Sequence, residues 1–98
     1  MHYFIDIDGT LTDTPEKAWG HTRQVLLDKV RVIISLGHSV VLWSARGSDY
    51  ANAFAVRYNL DVDMCLAKPD YIVDDIPTIR AQNRIGRMSP KEFERHEP

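Results

Sequence analysis

The chain has 98 residues, 44% of them apolar and 27% charged, a balance that suits one globular domain with a single core and argues against a disordered or fibrous chain. A net charge of −2 argues against a broad basic surface for nucleic acid, leaving contact with a phosphorylated polynucleotide end as the exception, and a single cysteine, Cys65, excludes an internal disulfide. No apolar run approaches the roughly 18 residues that cross a bilayer, and the start of the sequence lacks the basic and apolar stretches of a secretory leader, so the expected location is the cytoplasm with no membrane partner.

The first apolar run, His2-Tyr3-Phe4-Ile5, predicts a short buried strand, and the pentapeptide Asp6-Ile7-Asp8-Gly9-Thr10 follows at its carboxyl tip. Thr14-Pro15-Glu16 offers an N-cap, a proline at the first helical position and an early acid, which predict a helix that Gly20 interrupts. From Thr22 onward Leu26, Val30, Ile33 and Ile34 recur at helical spacing, and Gly37 closes that helix. Ser39 to Ser44 reads as a second buried strand, with Trp43 assigned to the core. The connection Ala45-Arg46-Gly47-Ser48 leads into a helix carrying Ala51, Phe54, Ala55 and Tyr58, ended by Asn59. Met64-Cys65-Leu66-Ala67 predicts a third strand, with Cys65 as a small buried hydrophobe, and Tyr71-Ile72-Val73 a fourth that ends in Asp74-Asp75. Ser89-Pro90-Lys91-Glu92 has the form of a capping box and starts a last short helix.

Strands alternating with helices imply an α/β fold, a three-layer Rossmann-like parallel sheet with helices on both faces, and no repeat or linker divides residues 1–98. Such sheets hold ligands at the carboxyl ends of their strands. Asp6, Asp8, Ser44, Lys68, Asp74 and Asp75 all fall at that edge. Two acids one residue apart repel, so the pair is either a solvated turn or a site where a cation or shared proton screens the charge. Mg²⁺ suits the second reading, because it takes oxygen ligands and bridges carboxylates to phosphate, and Asp74 and Asp75 would complete its site with Asp6. Asp6 is then a candidate nucleophile and Asp8 a candidate proton donor. Ser44 and Lys68 can bind and neutralise a phosphoryl group. Arg46 reads equally as a grip on phosphate or as a solvated loop residue. Trp19 and His21 are candidates for a substrate-facing lip, whereas His38 reads as a surface residue.

In these motifs the chain resembles the haloacid dehalogenase-like hydrolase superfamily, specifically its small phosphatases without a cap domain. Asp6, Asp8, Gly9 and Thr10 match the family's first motif, Ser44 the hydroxyl residue of the second, Lys68-Pro69 the lysine of the third, and Asp74-Asp75 the paired acids of the fourth. The resemblance implies a Mg²⁺-dependent phosphatase working through an aspartyl phosphate, with the metal held by Asp6, the backbone carbonyl at Asp8 and an acid of the Asp74-Asp75 pair. In this chain only five residues separate Lys68 from Asp74, and neither cap position has room for a lid. An open site implies a phosphate carried on a large molecule, or a homo-oligomer in which a neighbouring subunit closes over a small substrate. The competing expectation is a receiver-like module that binds or accepts phosphate without turnover; in such modules the acceptor aspartate ends the third strand, where this chain has Leu66-Ala67.

Overall fold

The computed structural model describes residues 1–73, 75 and 87–98. Strand β1, His2–Asp6, leads into a wide turn at Ile7–Leu11 and then into helix α1, Gln24–Ser35. Strand β2, Ser39–Ser44, helix α2, Ser48–Arg57, and strand β3, Met64–Ala67, follow, and helix α3, Pro90–Arg95, comes near the end. The strands are parallel in the order β1-β2-β3, with Asp6 opposite Trp43 and Ser44 opposite Ala67. The expected α/β, Rossmann-like parallel sheet flanked by helices is therefore present, the described helices packing on one of its faces rather than both, and its register brings the carboxyl ends of the three strands level.

Alternation along the strands decides where the core lies. Tyr3, Ile5, Val40 and Leu42 point to one side and join a single apolar cluster with Leu26, Leu27, Val30 and Ile33 of α1 and Ala51, Phe54 and Ala55 of α2. Phe93 of α3 enters the same cluster. On the other side of the sheet, among the described residues, Phe4 and Met64 are about half exposed and Trp43 is half-buried, with the Phe4 and Trp43 rings edge to face at 5.1 Å. Trp43 thus lies outside the main core to which the sequence pattern assigned it.

Both long helices stop where a left-handed residue lets the chain turn back. After α1, Gly37 has φ 87° and the Gly37 and His38 N–H groups donate to Ile34 and Ile33; after α2, Asn59 has φ 55° and the Asn59 and Leu60 N–H groups donate to Val56 and Ala55. These paired bonds satisfy carbonyls that the last helical turn leaves open and aim the chain into the next strand. α3 begins as its sequence predicts, with the Ser89 side chain accepting from Glu92 N–H and the Glu92 carboxylate accepting from Ser89 N–H.

Two expected elements do not form. The Thr14-Pro15-Glu16 signal keeps its local bond, Glu16 N–H to Thr14 Oγ1 at 3.4 Å, but no helix follows. Thr12 and Thr22 instead pair as an antiparallel bridge, with Asp13 N–H donating to His21 and Arg23 N–H to Leu11, so the intervening residues must double back as a hairpin. A helix would carry those two ends apart at about 1.5 Å per residue. Tyr71, Ile72 and Val73 are 89%, 79% and 98% exposed and lie outside the sheet, so the expected fourth strand is absent there. Three apolar residues mark a strand only when a neighbouring strand pairs with them. Asp74, at the end of that expected strand, lies outside the described residues. No described helix is long and apolar enough to cross a membrane.

Phe54 is fully buried where α2 meets the hairpin, stacked against Trp19 and tilted against Tyr58. Phe54→Ala should cost about 3–5 kcal/mol in a denaturant titration, the range for emptying a large aromatic site. A loss below about 1 kcal/mol would show that this packing is dispensable.

Candidate active site

The site starts with the geometry of the turn after β1. Thr12 N–H donates to Ile7 O at 3.1 Å, a bond spanning five residues, and Thr12 Oγ1 accepts from Gly9 N–H at 3.2 Å. Within this loop Asp8 is extended and Gly9 has φ 82°. Asp6 and Asp8 are thereby offered at the sheet's carboxyl edge, one at the tip of the strand and the other in the turn. Ile7 between them is fully buried and anchors the segment.

Each carboxylate has its own cation. Lys68, just beyond β3, brings Nζ to 3.1 Å from Asp6 Oδ1, and Thr10 donates its hydroxyl to Asp6 Oδ2 at 3.1 Å. The Lys68 ammonium also lies 5.8 Å from the centre of the Trp43 ring, which therefore helps to hold it. Arg46, just beyond β2, donates Nε–H to Asp8 Oδ2 at 2.6 Å, and Tyr50 donates its hydroxyl to Asp8 Oδ1 at 2.6 Å. The Asp8 side chain is 9% exposed, against 29% for Asp6. Both acids thus have a partner on each oxygen, and they differ in exposure: Asp8 is the more enclosed and Asp6 the more open to an incoming group.

Ser44 ties the loops together from beneath. Its hydroxyl accepts from Arg46 N–H at 3.0 Å, and its carbonyl accepts from both Gly47 N–H at 3.1 Å and Lys68 N–H at 3.0 Å. With 2% exposure it sits inside the protein, and its O–H can also donate.

Tyr50 is the participant that sequence pattern did not single out. It falls four residues before Phe54 on the same face of α2, where its ring reads only as a further packing residue. Burial, and then its bond to Asp8, raise the Tyr50 phenol above its ordinary value of 10.0, so it remains a protonated donor at neutral pH. Its oxygen also accepts from Trp19 N–H at 3.1 Å. Trp19, expected at a substrate-facing lip, is 37% exposed and rests on α2: its ring meets Tyr50 edge to face at 4.9 Å, and the Arg57 guanidinium lies 5.2 Å from its centre. His21 contributes its backbone carbonyl to the hairpin. Cys65 is half-buried, and burial pushes its thiol up, which suits a packing role.

The oxygen donors of Asp6 and Asp8 are of the hard type that Mg²⁺ prefers. Among the described residues no third His, Cys, Asp or Glu joins them in a cluster; Asp75 is exposed. The residues present supply part of the oxygen set such an ion needs, and Asp74 lies outside the described residues.

Gly9 has no room for a side chain: an added Cβ would lie 3.0 Å from Pro15 Cβ, on a backbone whose φ of 82° already disfavours any other residue. Gly9→Ala should therefore destabilise the fold by at least about 1 kcal/mol in a denaturant titration. Unchanged stability would mean that the turn after Asp8 adapts freely.

Neither a family model nor a curated protein matches the chain. A crystal structure of a structural-genomics target from Vibrio cholerae is similar to it, with a TM-score of 0.68 and 20% sequence identity, over 98% of this chain and 89% of that one. At that identity the likeness is one of fold, an open parallel α/β sheet flanked by helices.

Proposed function

We propose that the protein is a phosphatase that hydrolyses a phosphate monoester through an aspartyl-phosphate intermediate. The observation that carries this reading is the pair of carboxylates at one strand tip, each matched to a different cation: Asp6 to Lys68 and Asp8 to Arg46. A solvated turn needs no such division. Phosphoryl transfer does, since it requires an ionised nucleophile, a separate acid and positive charge around the phosphorus.

In the first half-reaction an Asp6 carboxylate oxygen attacks phosphorus, the bond from phosphorus to the leaving oxygen breaks, and Asp8 in its acid form gives that oxygen a proton. In the second, Asp8 takes a proton from water, whose oxygen attacks phosphorus and releases inorganic phosphate and free Asp6. Lys68, 3.1 Å from Asp6, offsets charge on the transferring group, and Arg46 has further N–H groups with which to grip a phosphate oxygen. Ser44 would donate its hydroxyl from below. Mg²⁺, held by Asp6, the Asp8 backbone carbonyl and Asp74 or Asp75, would add positive charge at the phosphoryl oxygens.

Between β1 and α1 the chain forms a turn and a hairpin, and between β2 and β3 it forms α2, so neither segment supplies a lid domain. This favours a phosphate borne on a large molecule, or a small one enclosed by a second subunit, and the setting we assign is cytoplasmic.

With Mg²⁺ present, an aryl phosphate should be hydrolysed, and excess chelator should stop the reaction. Asp6→Asn should lower turnover by several orders of magnitude with the fold intact, and Asp8→Asn should cost roughly 10²- to 10⁴-fold on esters with poor leaving groups. Turnover unaffected by chelator would remove the metal from the proposal, and an active Asp6→Asn variant would remove the nucleophile.

A further inference from the structure

We infer that Tyr50 is a positioning residue for Asp8, and that it ties the orientation of this carboxylate to the seating of the 12–22 hairpin on α2. The inference rests on the phosphatase reading, in which Asp8 moves the proton.

A carboxylate in a loop has two soft side-chain torsions, and a proton donor acts only within hydrogen-bond reach of the leaving oxygen. One donor fixes a carboxylate poorly, because the group can pivot about that bond. Two donors on different oxygens remove the pivot. Asp8 has two, Arg46 on Oδ2 and Tyr50 on Oδ1, both at 2.6 Å. They differ in what they can do during turnover. Arg46 is a long cation with 37% side-chain exposure, able to leave Asp8 for a phosphate oxygen. Tyr50 is held: its ring sits against Trp19 at 4.9 Å, its oxygen accepts from Trp19 N–H, and its backbone belongs to α2. When Arg46 engages substrate, Tyr50 is the donor that keeps Asp8 in place.

The price of this arrangement is visible at Trp19, whose φ of 57° is a conformation that bulky residues rarely adopt. Left-handed backbone at this point turns the Trp19 N–H toward the Tyr50 hydroxyl while the indole stacks on Phe54. Backbone strain beside a reacting group is expected where surrounding contacts over-determine the geometry. Here those contacts are Tyr50, Phe54 and Arg57.

The test is a double-mutant cycle on the full chain with Tyr50→Phe and Asp8→Asn, assayed on an alkyl phosphate and an aryl phosphate with Mg²⁺. Tyr50→Phe keeps the ring and removes only the hydroxyl. It should lower kcat on the alkyl ester roughly tenfold or more, the scale of one hydrogen bond to a charged group, with KM little changed and a smaller loss on the aryl ester. In the Asp8→Asn background the same change should cost little, because its effect passes through the acid. Tyr58→Phe, which removes a phenolic hydroxyl from the end of the same helix, is the control and should leave both rates unchanged. Equal losses in both backgrounds, or equal losses on both esters, would reduce Tyr50 to a packing residue and overturn the inference.

A second readout is independent of turnover. Amide hydrogen exchange at Trp19 should accelerate in Tyr50→Phe while Asp13, bonded to His21, exchanges as before. Unchanged exchange at Trp19 would overturn the link to the hairpin. No hydrolysis of either ester by the unsubstituted protein, with Trp19 exchange still responding to Tyr50→Phe, would instead overturn the phosphatase reading and with it the catalytic role, leaving the tie itself established.

Discussion

Repulsion between Asp6 and Asp8 is the constraint around which the rest of the molecule is arranged. Two like charges one residue apart disfavour each other's ionisation unless each has compensation nearby. The sheet supplies it from two directions, since β2 ends in the loop that carries Arg46 and β3 in the one that carries Lys68. A parallel sheet makes this possible: three strands run the same way, so three loops meet at one edge, the first bringing both carboxylates and the other two one cation each. The helices, the core and the tight turns at the opposite edge keep those strand ends level.

Burial then distinguishes the two acids. Asp8 is largely withdrawn from water, and a withdrawn carboxylate needs its hydrogen bonds satisfied, which Arg46 and Tyr50 do. Asp6 keeps more contact with solvent, and its partners, an ammonium and a hydroxyl, leave room for another atom to approach. The asymmetry arises from placement: one acid ends a strand at the open rim, and the other sits inside a turn closed by Thr12 and roofed by α2.

Much of this architecture was legible in the sequence because it depends on local chemistry. Short apolar runs marked β1, β2 and β3, and Gly37 and Asn59 marked helix ends because each takes the left-handed conformation that the return turn requires. Asp6, Asp8, Ser44 and Lys68 do gather at one edge, as their positions at strand ends implied. Arg46, which the sequence left open between a phosphate grip and a solvated loop residue, joins them through Asp8, while Asp75 is exposed and outside the cluster. What escaped was set by contacts distant in sequence. The capping signal at Thr14 is satisfied locally yet overruled by the bridge between Thr12 and Thr22, and Tyr71 to Val73 carry a strand's composition without a strand's partner. Tyr50 was hidden for a related reason. Its importance lies in a hydroxyl pointing across to Asp8, a direction that neither periodicity nor residue type encodes.

The Ser44 carbonyl has a mechanical consequence. Because this one oxygen receives the N–H of both Gly47 and Lys68, the two loops that carry the opposing cations are hinged on a common pin. Side-chain replacement at position 44 leaves the pin in place, so the hydroxyl can be removed while the frame survives. A shift of the β2 backbone there would swing Lys68 and Arg46 together, and the two charge pairs would loosen as a unit rather than one at a time.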